Sequence, residues 1–233
     1  MDAVPGLEPR KISLGLKAVG LVFPGARKTI GQIHPYTDWW NVQNQGALKA
    51  DGPRLIGIGD SILVGIGASH PSKSLLGQLG ASLSERDGQR WRIINLAIAG
   101  ARVDDALDRQ LPIAQKLGPA DYIVCCIGTN DIVWTPAGHS LMDGLRSLSD
   151  ALPARTVFGP VAGASRRARL ANRTLRQSSR RNGQLFAPIW DLDDPSTIRQ
   201  RLATDRFHPN DFGYSLMAKV MLDTLNRAQG DSP

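Results

Sequence analysis

The sequence predicts an α/β fold, a three-layer α/β/α domain whose central parallel sheet holds about five strands. Three observations predict it. From residue 54 onward, short apolar runs alternate with longer segments of helical periodicity. The run Tyr122-Ile123-Val124-Cys125-Cys126-Ile127 is apolar on both faces, as a central parallel strand must be. The first three runs each lead into a loop bearing glycine and polar residues, where open parallel sheets place their ligands.

Taken in order, residues 55–58 form strand one, and 74–86 a helix with Leu75, Leu76, Leu79 and Leu83 at helical spacing. Residues 91–96 are strand two. Residues 103–117 are a helix carrying Leu107, Leu111 and Ala114, which Pro112 kinks or divides because it has no N–H to donate. Strand three is 122–127, followed by a helix over 141–152, strand four at 156–158 and a helix over 166–181. Residues 185–189 make a short edge strand, since Pro188 cannot feed a ladder. Residues 212–227 close the chain as a helix with Met217, Met221 and Leu225 on one face and Leu216 and Val220 beside them. Right-handed crossovers leave few topologies. The flavodoxin-like order 2-1-3-4-5 opens a crevice between strands one and three, with strand two beside them.

A chain of 233 residues suffices for one such core and an extension. Residues 1–52 are expected to be an N-terminal extension packing on the domain, which spans 53–233. Residues 11–23 are mildly apolar but interrupted by Lys17 and two glycines, unlike a signal peptide, so a retained, cytoplasmic extension is expected. Trp39 and Trp40 are expected to anchor it. Lys11, Lys17, Arg27 and Lys28 leave a peripheral membrane contact open, while no apolar run reaches the length of a membrane span. The net charge of +7 favours anionic surfaces or substrates and says nothing of fold. Cys125 and Cys126 are strand neighbours pointing to opposite faces, which disfavours a disulfide and fits a reducing compartment.

Chemistry centres on Gly59-Asp60-Ser61-Ile62, just past strand one. Alone, this segment reads first as a helix cap, by Ser61 or by Asp60. Reading Ser61 as a nucleophile requires a base, an orienting acid and oxyanion donors elsewhere. Asn95-Leu96-Ala97-Ile98-Ala99-Gly100 follows strand two, and the Gly100 N–H is a loop amide or an oxyanion donor. Gly128-Thr129-Asn130-Asp131 follows strand three and is a turn or a third contribution to the site. In Asp205-Arg206-Phe207-His208, an acid three residues before a histidine can hold the imidazole through Nδ1 and leave Nε2 to accept a proton. Of the four histidines, His70 and His139 read as surface residues, and neither they nor His34 have an acid so placed in an obvious post-strand or pre-helix loop.

These four blocks, in this order, resemble the GDSL, or SGNH, family of serine hydrolases. The resemblance runs from about residue 54 to the C-terminus, with Ile62 where leucine is usual, and leaves the extension unexplained. It implies a cofactor-free and metal-free esterase with Ser61, His208 and Asp205 as its triad. The Ser61 and Gly100 N–H groups and the Asn130 amide would be the oxyanion hole. It further implies short- to medium-chain acyl, lipid or acetylated-sugar esters as substrates, with acyl transfer by the same triad as an alternative. Leu63 stands where a Gly-x-Ser-x-Gly elbow needs its second glycine, so the α/β-hydrolase arrangement is excluded. Phosphate-loop, dinucleotide, His-Glu-x-x-His and Cys-x-x-Cys patterns are absent from the sequence.

Two features stand outside the blocks. Arg166, Arg169, Arg173, Arg176 and Arg180 share a helical face opposite Ala164, Ala168, Ala171 and Leu175. That face is solvated, or it meets anionic lipid or polyanionic substrate; no specific nucleic-acid partner is expected. Trp134 and Pro136 either shape the acyl or alcohol pocket or are core or loop packing. The rival from another class is a non-catalytic basic binding domain, which would have no need of Ser61, Asn130, Asp205 and His208 together.

Overall fold

The computed structural model describes residues 8, 24–134, 140–189 and 198–230. The expectations for residues 11–23, Pro136 and His139 lie outside these. The strands are β1 (Arg54–Gly59), β2 (Arg92–Asn95), β3 (Tyr122–Cys126), β4 (Thr156–Phe158) and β5 (Leu185–Phe186). They pair in parallel as one sheet ordered β2-β1-β3-β4-β5. The helices are α1 (Pro24–Lys49), α2 (Ser61–Val64), α3 (Leu75–Asp87), α4 (Val103–Asp105), α5 (Leu111–Lys116), α6 (Thr129–Trp134), α7 (Leu141–Ala151), α8 (Arg166–Arg181), α9 (Ile198–Arg201) and α10 (Asp211–Gly230).

Strand residues alternate between faces. Leu55, Val124, Cys126 and Val157 enter one apolar cluster, closed by Leu75, Leu79 and Leu83 of α3 and by Tyr214, Met217 and Met221 of α10. Ile56, Ile58, Ile123, Cys125 and Phe158 enter the other, closed by Leu111, Leu145, Leu148 and Leu175. The result is the predicted three layers. Cys125 and Cys126 lie in opposite layers, both buried and free.

The helix expected over 103–117 is divided. Between α4 and α5, residues Ala106–Gln110 form a π turn in which the Leu111 N–H reaches back to the Ala106 carbonyl. The break precedes Pro112, which sits in the first turn of α5 where its missing N–H is not needed. On α8, which carries no acidic residue, the five arginines named above are exposed, while Ala168, Ala171 and Leu175 are fully buried. Ala164 differs from its expected place: it precedes the cap Ser165 and is exposed.

The sequence assigns no element to residues 24–49, and the structure makes them a 26-residue helix. α1 lies along the edge strand β2. Trp40 is buried and donates from Nε1 to the Val64 carbonyl at 3.0 Å, while Trp39 packs half-buried beside it. Asn44 docks on the strand itself: its Nδ2 donates to the Asn95 carbonyl and its Oδ1 accepts the Asn95 N–H, both at 2.8 Å. Sheet edges exposed to solvent invite pairing with other chains, and a helix laid against the edge prevents it.

Candidate active site

β1 ends at Gly59, inside the Gly59-Asp60-Ser61-Ile62 block. The Asp60 N–H donates to the Cys126 carbonyl at 3.1 Å, which carries the β1–β3 pairing one residue beyond Gly59. Asp60 then turns out and caps α2, its Oδ1 accepting the Ile62 N–H at 3.0 Å. The cap therefore belongs to Asp60, and Ser61 is the first helical residue. Its Oγ lies 3.0 Å from His208 Nε2. A buried amide locks the strand end: Gln110 Oε1 accepts the Gly59 N–H at 2.7 Å and Gln110 Nε2 donates to the Gly59 carbonyl at 2.9 Å. Asn95 Nδ2, from the end of β2, donates to the Leu63 carbonyl at 2.9 Å.

His208 Nδ1 meets Asp205 Oδ2 at 2.6 Å, and Asp205 Oδ1 accepts the N–H groups of Phe207 and His208, both at 3.0 Å. The Asp205 side chain is 6% exposed and that of His208 15%. Burial pushes the Asp205 carboxyl up, but the His208 hydrogen bond and charge and the two backbone N–H groups outweigh it and hold the carboxyl at about 2. Asp205 is thus an anion at any pH near neutrality. To make this turn, Arg206 takes a left-handed conformation with φ 56. That costs a non-glycine residue roughly 1–2 kcal/mol. The Arg206 N–H to the Ala203 carbonyl (2.9 Å) and the Ala203 N–H to the His208 carbonyl (2.8 Å) hold the turn in place.

The structure thus brings Ser61, His208 and Asp205 into one line. Asn130, in the first turn of α6, is buried, and its Nδ2 donates to the Ala101 carbonyl at 2.9 Å with Asp60 Oδ2 at 3.4 Å. Gly100 lies in the turn beyond β2, exposed, with φ 79, and no described residue accepts its N–H or that of Ser61. Trp134 is 53% exposed at the end of α6 and so is not core packing. His70 is exposed, and its ring accepts the Ser72 N–H. Among the described residues no group of three or more His, Cys, Asp or Glu could hold a metal ion.

Gln110 and Gln32 escape sequence reasoning. The role of Gln110 depends on the π turn that aims it at Gly59. Gln32 reaches the loop after α2 from a helix that the sequence does not declare. Neither leaves a spacing signal. Asp60 is legible as a cap; its burial at 2% exposure is not.

The profile of the GDSL-like lipase/acylhydrolase family matches residues 58–216. No curated protein matches the chain. Solved structures do. Esterase EstA from Pseudoalteromonas sp., inhibited by monoethylphosphonate, aligns with a TM-score of 0.62 at 17% identity, over 77% of this chain and 100% of its own. The lipase/acylhydrolase from Enterococcus faecalis aligns at 0.63 and 16%, over 76% of this chain and 96% of its own. An acetyl xylan esterase from Geobacillus stearothermophilus aligns at 0.57 and 22%, over 76% and 96%. At such identities these structures share the fold, while the profile spans well over half the chain. With its blocks at the ends of β1, β2 and β3 and before α10, the chain belongs to the GDSL-like lipase/acylhydrolase family, whose members are ester hydrolases.

Proposed function

We propose that this chain hydrolyses carboxylic esters through an acyl-enzyme on Ser61. The observation that carries the proposal is the continuous path from Ser61 Oγ through His208 Nε2 and Nδ1 to Asp205 Oδ2, at 3.0 and 2.6 Å. His208 Nδ1–H donates to Asp205, which leaves Nε2 to accept the serine proton. Oγ then bonds to the ester carbonyl carbon and the carbonyl oxygen takes up the negative charge. As the tetrahedral adduct collapses, the bond to the alkoxy oxygen breaks and His208 hands its proton to the departing alcohol. Water repeats the sequence: His208 takes its proton, its oxygen attacks the acyl carbon, and Ser61 leaves as the protonated hydroxyl. Asp205 stabilises the imidazolium at each turn and stays ionised.

The oxyanion is assigned to the N–H groups of Ser61 and Gly100 and to the Asn130 amide. Asn130 spends one N–H on Ala101 at 2.9 Å; the other faces Asp60 at 3.4 Å, a long contact that a full oxyanion charge outcompetes. Short- to medium-chain esters, with lipid or acetylated-sugar alcohols, are the proposed substrates. The acetyl xylan esterase among the structural neighbours supports testing sugar acetates first.

The test is a panel of chromogenic and sugar-acetate esters beside fluorophosphonate labelling and mass spectrometry. We expect the label on Ser61 and a loss of at least about a thousandfold in kcat for Ser61→Ala. A label elsewhere, or an active Ser61→Ala, refutes the assignment. Added alcohol acceptors separate hydrolysis from acyl transfer.

The acid-free face of α8 supports a second proposal, peripheral contact with an anionic membrane. Its expected outcome is binding to phosphatidylserine vesicles that disappears at high salt; salt-independent binding, or none, removes it.

A further inference from the structure

We propose that α1 belongs to the working enzyme, with Gln32 and Tyr36 as positioning residues that set the distance between Ser61 and His208. The inference rests on the serine-esterase reading above and extends it to a helix outside the segment that the family profile matches.

The chain leaving α2 runs through Gly67 and Ala68. Gln32 Oε1 accepts the Gly67 N–H at 2.8 Å, and Gln32 Nε2 donates to the Ala68 carbonyl at 2.8 Å. The Tyr36 hydroxyl donates to the same carbonyl at 2.7 Å and accepts the second Gln32 amide proton at 3.0 Å. Two neighbouring backbone groups are therefore fixed from α1. The segment they belong to is wedged between the halves of the triad. Its N-terminal end continues the Ser61 helix, whose last carbonyl, on Val64, accepts from Trp40 Nε1 at 3.0 Å. Its middle lies against the base: a Cβ on Gly67 would come within 2.8 Å of His208 Cβ and 2.4 Å of the Pro209 carbonyl oxygen. Only glycine fits there, at φ 97. Its far end is tied to the start of α10, with Ser69 N–H and Oγ donating to the Asp211 carboxylate at 2.6 and 2.5 Å.

α1 also reaches the acid. A Cβ on Gly25 would stand 2.2 Å from the carbonyl oxygen of Thr204, the residue before Asp205. One helix thus grips the nucleophile turn, the wedge and the loop that carries Asp205 and His208. A displacement of about 1 Å between reacting groups costs on the order of a hundredfold in rate. Two side chains that immobilise the wedge therefore control the proton transfer without touching substrate.

The test compares Gln32→Met, which keeps length and apolar bulk but removes the amide, with Tyr36→Phe, which keeps the ring. Trp91→Phe serves as control: its indole donates to Asp87 and stacks on Tyr122 near the start of β3. We expect Gln32→Met and Tyr36→Phe to lower kcat by about 10- to 100-fold with KM within about twofold. Fluorophosphonate labelling of Ser61 should slow by the same factor. Trp91→Phe should lower Tm and leave both rates unchanged. Variants that label at the wild-type rate overturn the proposal. So does a rate loss that Trp91→Phe reproduces at an equal loss of Tm. Should Gln32→Met fail to fold, Tyr36→Phe decides alone. A wild-type protein that takes no label at Ser61 sinks the serine-esterase reading and this inference with it. Normal wild-type labelling with unaffected variants sinks the inference only.

Discussion

Asp60 sits 2% exposed next to Ser61, and burial pushes its carboxyl up to about 7, with the Ile62 N–H pulling it down and the charge of Asp131 adding to the rise. In the unfolded chain the same group titrates near 3.8. The folded protein therefore holds a proton that the unfolded chain has already released across this interval. The Asp60 contribution to stability is full below about pH 4 and fades as pH rises towards 7. Asp205 has the opposite sign: its contribution is present above 3.8 and is lost as pH falls towards about 2. We predict that the difference in urea midpoint between the wild type and Asp60→Asn changes steadily from pH 4 to 7, the wild type losing ground. Asparagine keeps an acceptor for the Ile62 N–H, so the cap survives. A difference that stays flat over this range contradicts the assignment.

At the scale of elements, Asn44 does for the β2 edge what Gln110 does for the end of β1: a buried amide satisfies both the N–H and the carbonyl of one residue. Asn44→Ala leaves the Asn95 N–H and carbonyl without these partners, at a cost of about 1–3 kcal/mol. In a domain of this size that lowers Tm by roughly 2–4 °C per kcal/mol. Thermal unfolding followed by circular dichroism checks it, and an unchanged Tm would mean that water or a neighbour replaces the amide. The same residues show where reading the sequence stops. The strands were legible because Leu55 to Ile58 and Tyr122 to Ile127 are unbroken apolar runs. Asp205 and His208 were legible because a local turn brings them together. α1 was not, because its inward face is built from Thr29, Gln32, Tyr36 and Asn44 as much as from Ile33 and Trp40. Such a face works by hydrogen bonds to particular backbone groups, and apolar periodicity does not register it. Pro35 and three glycines within α1 obscure it further.

For the molecule as a whole, Ser61 and His208 are 147 residues apart in sequence and meet only when the sheet and α10 are both in place. The site thus exists only in the finished fold. Cys125 and Cys126 add a way to watch that fold come apart. They are adjacent along the chain yet shielded by different helices, and burial raises both thiols. Alkylation resolved by mass spectrometry in mild denaturant would therefore report independently on the two sides of one peptide bond. Matched kinetics would mean that the molecule opens as a single unit; earlier modification of Cys126 would mean that the α3 and α10 side peels away first, taking with it the support of the segment around Ser61.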